Sequence, residues 1–137
     1  MLDFTLEDLS AEDVERLRTV YRPLTEAVRE LIDATIRSEV DADVVAEAKA
    51  QIDAATAALR GRQLDGPFGV RFTAHGDRMP WGNAVIGLRN PIAPPLSVQR
   101  DEVGGVFADF ELGAPYEGPP GHVHGGVAAM LLDHILG

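Results

Sequence analysis

The stretch EGPPGHVHGGVAAMLLDHILG, residues 117–137, decides the reading of this chain. A loop of Gly, Pro and His runs into an apolar pattern at helical spacing, and one carboxylate, Asp133, interrupts that pattern. Gly125 and Gly126 open the helix. The first turn of a helix carries free N–H groups and the positive end of the dipole. Two glycines there remove the side chains that would shield those groups, so a ligand oxygen can approach the backbone and an oxyanion-stabilising site results. Val127, Met130, Leu131, Ile135 and Leu136 make most of the helix apolar. Asp133 then has two readings. Either it is desolvated, which would suit it to act as a base or nucleophile, or it lies on the polar stripe of an amphipathic helix beside His134.

The spacing adds a constraint. Asp133 stands eight residues beyond Gly125, about 12 Å along a helix axis. One reacting carbon cannot touch both the Gly125 N–H and the Asp133 carboxylate of the same helix. If both act on one substrate, they come from two antiparallel helices. The simplest source is a two-fold dimer whose interface holds two active sites.

Upstream of this stretch, Val106, Ala108, Phe110 and Leu112 alternate with Asp109 and Glu111, so 106–112 reads as a strand. Phe68, Val70, Phe72 and Ala74 alternate with Gly69, Arg71, Thr73 and His75 and predict a half-buried strand. NAVIGL, 83–88, is a further strand candidate, whereas NPIAPPL, 90–96, cannot be a central strand because its prolines lack the ladder N–H. Residues 1–60 read instead as helices. Ser10 with Asp13 resembles a capping box, with Asp in the usual Glu position. Val14, Leu17, Tyr21, Leu24, Val28, Leu31, Ile32 and Ile36 recur at helical spacing, and Pro23 among them either starts a second helix or kinks a long one. Asp41 is a candidate N-cap for a packing helix carrying Val45, Ala48, Ile52, Ala55 and Leu59. The texture changes at Gly61: all 14 glycines lie from there onward, and of the 9 prolines only Pro23 precedes it. We therefore divide the chain into a helical extension, 1–60, and a second unit, 61–137.

Composition narrows the function classes. The 137 residues carry 12 basic and 22 acidic side chains, net −10, which opposes a general nucleic-acid or anionic-membrane surface. Fourteen of the acids and 7 of the bases fall within 1–60 and read as the solvated faces of helices. The absence of cysteine removes disulfides, zinc–thiolate sites and a Cys nucleophile, and fits a reducing, cytoplasmic setting. The N-terminus has no basic n-region and no apolar h-region, and no apolar run is long enough to span a bilayer.

EGPPGHVHGG followed by Asp nine residues after the second His closely resembles the hotdog-fold acyl-CoA thioesterases, both their PaaI-like branch and the animal thioesterase-superfamily members that carry a Gly-Pro-Pro-Gly-x-x-His-Gly-Gly loop. The match covers about twenty residues strongly and runs back more weakly to NPIAPPL. It implies an α+β fold in which a hotdog-type antiparallel sheet wraps a central helix, with the N-terminal helices as an extension. It also implies roles. Gly125 would donate its N–H to the thioester carbonyl, and Asp133 would activate water or attack the carbonyl directly. His124 would shape the loop and bond near the thioester. Gly126, His122 and Pro120 would contact the acyl-CoA substrate. In such families the acid and the Gly N–H of one site come from different subunits, so a homodimer or a dimer of dimers is expected, with no cofactor. One departure stands out: some members carry Asn six residues before the motif His, where this chain has Gly118.

Rival readings remain. His122 and His124 have a metal-ligand look, but alternate residues of extended backbone point apart and no further cluster supports a site, so we assign no metal. His75 and His134 read as ordinary surface or core residues, and Trp81 as a packing anchor. A non-catalytic acyl-CoA-binding or assembly module on the same scaffold is the alternative function. A hydratase would carry its Asp and His in a different loop motif. The strands expected after the central helix do not follow within the 137 residues, which would leave apolar helix surface and the edge of 106–112 uncovered. We therefore expect 61–137 to be the N-terminal part of a hotdog domain in a longer product; strands from a second chain or a degenerate protein are the alternatives. The intact protein is expected to be a thioesterase and these residues alone inactive.

Overall fold

A computed structural model describes residues 4–136, with side chains from Glu7 to Leu136. The expectations that involve Met1–Asp3 and Gly137 lie outside the described residues. The order is β1 (Phe4–Glu7), α1 (Ala11–Arg37), α2 (Ala42–Arg60), β2 (Val70–Thr73), β3 (Arg78–Met79), β4 (Gln99–Arg100), β5 (Val106–Phe107), a 3₁₀ turn (Ala114–Tyr116) and α3 (Gly125–Leu136). The architecture is α+β.

The helix α1 starts where the capping box places it. The Ser10 hydroxyl accepts from the Asp13 N–H at 3.1 Å, and the Asp13 carboxylate accepts from the Ser10 N–H at 3.1 Å. The Ser10 hydroxyl also donates to that carboxylate at 2.7 Å, and this bond, with the Ser10 N–H, holds the Asp13 carboxyl below its ordinary value, the Ser10 side chain contributing most. Pro23 neither splits the helix nor starts a new one; it sits inside a single helix of 27 residues. The buried stripe also differs from the expected one. Leu24 is exposed, and Thr25 is buried in its place, its hydroxyl satisfied by the Tyr21 carbonyl at 3.0 Å.

The expectation that α2 is a packing helix is overturned: it has no buried residue, and Val44, Val45, Ile52 and Leu59 are exposed. Its alanines give it high intrinsic helix propensity, and Lys49 pairs with Asp53 one turn on. Burial is therefore not what makes it helical.

Residues 1–60 are not all helix. The strand β1 pairs in parallel with β2, Phe4 opposite Val70 and Glu7 opposite Thr73, and the Glu7 carboxylate pairs with Arg71 across the two strands. Then β2 turns back onto β3, Arg71 opposite Met79. Thr73 closes that turn, its hydroxyl accepting from the Asp77 N–H at 3.1 Å. The alternation over 68–74 thus becomes a shorter strand. So does 106–112, where only Val106–Phe107 pairs, antiparallel to Gln99–Arg100. NAVIGL is a turn instead of a strand. The Asn83 side-chain oxygen accepts from the N–H groups of Val85 at 2.8 Å and Ile86 at 3.1 Å, and the Asn83 carbonyl accepts from Gly87 at 3.0 Å. A local Asx turn satisfies donors that a ladder would otherwise need.

The core joins α1 to the segment after β2. Val14, Met79 and Trp81 are buried together, with Leu17, Tyr21, Phe68 and Leu88 packed around them. Trp81 is 3% exposed and stacks on Phe68 with ring centroids 6.1 Å apart, the anchor role expected of it. Full burial of a large apolar side chain contributes about 1.5–3 kcal/mol. Arg89 covers the outer face of Tyr21, its guanidinium carbon 3.7 Å from the ring centroid. The described residues form a three-stranded and a two-stranded sheet, not one sheet wrapped round α3. Leu131 is the buried residue of α3, while Leu132 and Leu136 are exposed. Among the described residues no helix is long and apolar enough to cross a membrane.

Candidate active site

The loop before α3 is held from beneath by Tyr116. This side chain is buried, and its hydroxyl lies 3.2 Å from the Ala93 carbonyl and 3.3 Å from that of Ile92. Arg29 of α1 donates to the same Ala93 carbonyl at 3.1 Å. Burial raises the Tyr116 phenol above its ordinary value, and the nearby Arg29 charge opposes that rise. So the loop is tied through one carbonyl to α1 and to the proline-rich segment. Sequence reasoning gave Tyr116 no role, although a Tyr immediately before a Gly/Pro loop is a signal that could have been used.

From Tyr116 the chain forms a miniature hairpin. Glu117 bridges Val123 in antiparallel register, the Gly118 N–H donates to the His122 carbonyl at 2.8 Å, and the His124 N–H donates to Tyr116 at 2.9 Å. Its tip is a reverse turn closed by the His122 N–H on the Pro119 carbonyl at 2.9 Å. Pro120 occupies the second position of that turn, and Gly121, at φ +75°, the third. This is type II chemistry: Pro presets its φ and Gly supplies the left-handed residue. The Glu117 carboxylate accepts from the Gly121 N–H at 2.9 Å and clamps the turn. Glu117 is a second residue without an expected role. His122 places Nδ1 3.0 Å from the Pro120 carbonyl, so its ring braces the turn too.

Gly118 explains the departure noted above. A Cβ there would lie 2.7 Å from His124 Cα. No Asn fits at this position in this conformation.

His124 caps α3. Its carbonyl accepts from Val127 at 2.9 Å and Ala128 at 3.0 Å, and its Nδ1 accepts from the Gly126 N–H at 3.1 Å. That bond requires an unprotonated Nδ1, so the neutral ring carries its proton on Nε2. The two glycine N–H groups are thus not equivalent. Gly126 is engaged by His124. The Gly125 N–H has no acceptor among the described residues, and the space a Cβ would occupy there is open. One backbone donor of an exposed residue is thus left unpaired at the positive end of the helix.

Asp133 is exposed on α3, beside the exposed Leu132 and the half-buried His134. In a single chain its surroundings match the polar-stripe alternative and not the desolvated one. A cleft of about 370 Å³ beside the loop is lined by His122, Val123, Glu117, Gly121, Tyr116 and Asp33, among others, and by neither Gly125 nor Asp133. His122, His124, Pro120, Gly125 and Gly126 therefore gather in the loop and the first turn of α3, whereas Asp133 stands apart along the helix. No group of three or more His, Cys, Asp or Glu side chains among the described residues is placed to hold a metal ion.

No protein-family model matches the chain, and no curated protein does. Among solved structures, the chain is similar to a crystal structure of a thioesterase superfamily protein, with 31% sequence identity and a TM-score of 0.67. The match covers 85% of this chain, and the chain spans 60% of the length of that protein.

Proposed function

We propose that the intact protein is a hotdog-fold, PaaI-like acyl-CoA thioester hydrolase that works as a cytoplasmic homodimer or dimer of dimers. The observation that carries this reading is the unpaired N–H of the exposed Gly125 at the start of α3. The likeness to a thioesterase superfamily protein supports it. The thioester carbonyl oxygen accepts from the Gly125 N–H, which stabilises the oxyanion as it forms. Asp133 of another subunit removes a proton from water as that water attacks the carbonyl carbon; the C–S bond then breaks and CoA leaves as the thiol. His124 positions the donor. By holding the Gly126 N–H on Nδ1, it fixes the first turn so that Gly125 faces the substrate, and its Nε2–H remains available to the thioester. His122, Pro120 and Gly126 shape the surface on which the substrate lies. A second subunit also answers the exposure of Asp133, since an antiparallel neighbour would withdraw that carboxylate from water.

The test is hydrolysis of acyl-CoAs of varied chain length by the intact protein. Asp133→Asn and Asp133→Ala are expected to lower kcat by about 10²–10⁴. Unchanged rates in both variants would remove Asp133 from the mechanism. Tight CoA binding with no hydrolysis by the unmodified protein would favour the non-catalytic acyl-CoA-binding module.

A further inference from the structure

A second cleft, with Ala93 in its lining, lies between α1 and the segment from Pro80 to Ser97. It has a volume of about 500 Å³, within the range of small-ligand sites. Arg18, Arg22 and Arg29 line it, with Glu26 the only acid. In a chain of net −10, this gives one concave surface a local charge of +2, three cations less one anion.

Arg29 is engaged by the Ala93 carbonyl and by Tyr116, whereas Arg18 and Arg22 keep their heads largely free. Arg22 is exposed, and its side chain makes no hydrogen bond or ion pair with the described residues. Arg18 meets Glu15 only at 4.0 Å and leans over the Trp81 ring at 5.7 Å. Arg29 uses one terminal nitrogen on Ala93, and its Nε is buried with no acceptor. The indole N–H of Trp81, on the same cleft wall, is also buried without an acceptor. Arg18 and Arg22 are one helical turn apart, so their heads can converge on a single group. Trp81 and Ile86 give the cleft an apolar wall beside the charges.

We propose that this cleft binds a phosphate-class dianion, contacted by Arg18 and Arg22, with Arg29 holding the wall through Ala93. The site is separate from the Gly125 loop and does not depend on the thioester reading. A phosphate dianion matches two guanidinium forks better than a carboxylate does, because it offers more acceptor oxygens and more charge.

Trp81 is the only tryptophan of the 137-residue chain, so its fluorescence reports from the cleft wall alone. Titration with inorganic phosphate and, separately, with adenosine monophosphate is expected to give a saturable change. Arg22→Gln should weaken binding about tenfold or more, Arg22→Lys should weaken it less because the charge is kept but the fork is lost, and acetate should bind weakly. Circular dichroism checks that the variants keep their helices, which the exposure of Arg22 leads us to expect. Tighter binding of the nucleotide identifies a nucleoside-borne phosphate as the ligand; equal binding identifies the free anion. A response that stays linear into tens of millimolar for both probes, that acetate reproduces, or that Arg22→Gln leaves unchanged overturns the proposal.

Discussion

Gly118 and His124 show how closely the loop is fitted at the scale of single residues. A Cβ at Gly118 would lie only 2.7 Å from His124 Cα, so the backbone of Gly118 passes close to that of the residue that caps α3. Gly118→Ala is therefore expected to destabilise by about 1–3 kcal/mol, the usual cost of overpacking, read as a lowered midpoint in thermal unfolding. An unchanged midpoint would mean that the hairpin is not packed as described. Asp13 offers a second test. Its carboxyl is held below the ordinary value of 3.8 because Ser10 bonds favour the charged form. Its contribution is present above the unfolded value and lost as pH falls through the lower folded one. Acid titration followed by NMR at the Ser10 and Asp13 amides should give a midpoint below 3.8; a midpoint at or above that value contradicts the capping box.

At the scale of elements, α1 carries a defect that can be repaired. Pro23 is exposed and lies inside the helix, where it removes the bond to the Thr19 carbonyl. Pro23→Ala is expected to stabilise the chain by up to about 3 kcal/mol, measured by denaturant unfolding. A loss of stability would show that the proline sets a bend that the core requires. Features governed by near neighbours were legible in the sequence: the Ser10–Asp13 box, the Pro-Pro-Gly turn, and the start of α3 at the paired glycines. Those that depend on remote or side-chain choices were not. The strand β1 finds its parallel partner more than sixty residues later, so no local pattern announces it. NAVIGL has the composition of a strand, but the Asn83 side chain takes the donors that a strand would use. The site shows the same division. The loop residues and their order could be read directly, but which glycine N–H stays free is decided by the His124 ring, and no spacing rule reveals that. The surroundings of Asp133 depend on whatever packs against α3, which lies beyond any reading of the helix alone.

At the scale of the whole molecule, the central claim is that one site is built from two chains. Gly125 and Asp133 are too far apart on one helix to meet a single carbonyl, and in one chain the acid faces outward. Pro is tolerated at the first position of a helix, where its missing N–H breaks no intrahelical bond. Gly125→Pro thus removes the donor and leaves α3 able to form, and on its own it should lower hydrolysis by about 10²–10³. The most direct measurement mixes intact Gly125→Pro protein with intact Asp133→Asn protein after subunit exchange and assays acyl-CoA hydrolysis. In a two-fold dimer, random pairing makes about half the dimers mixed, each with one undamaged site of two. The account predicts recovery to about a quarter of the unmodified activity from two nearly inactive parents. If exchange is verified and the mixture stays as inactive as its parents, the two residues do not share a site across subunits, and the proposed mechanism is wrong.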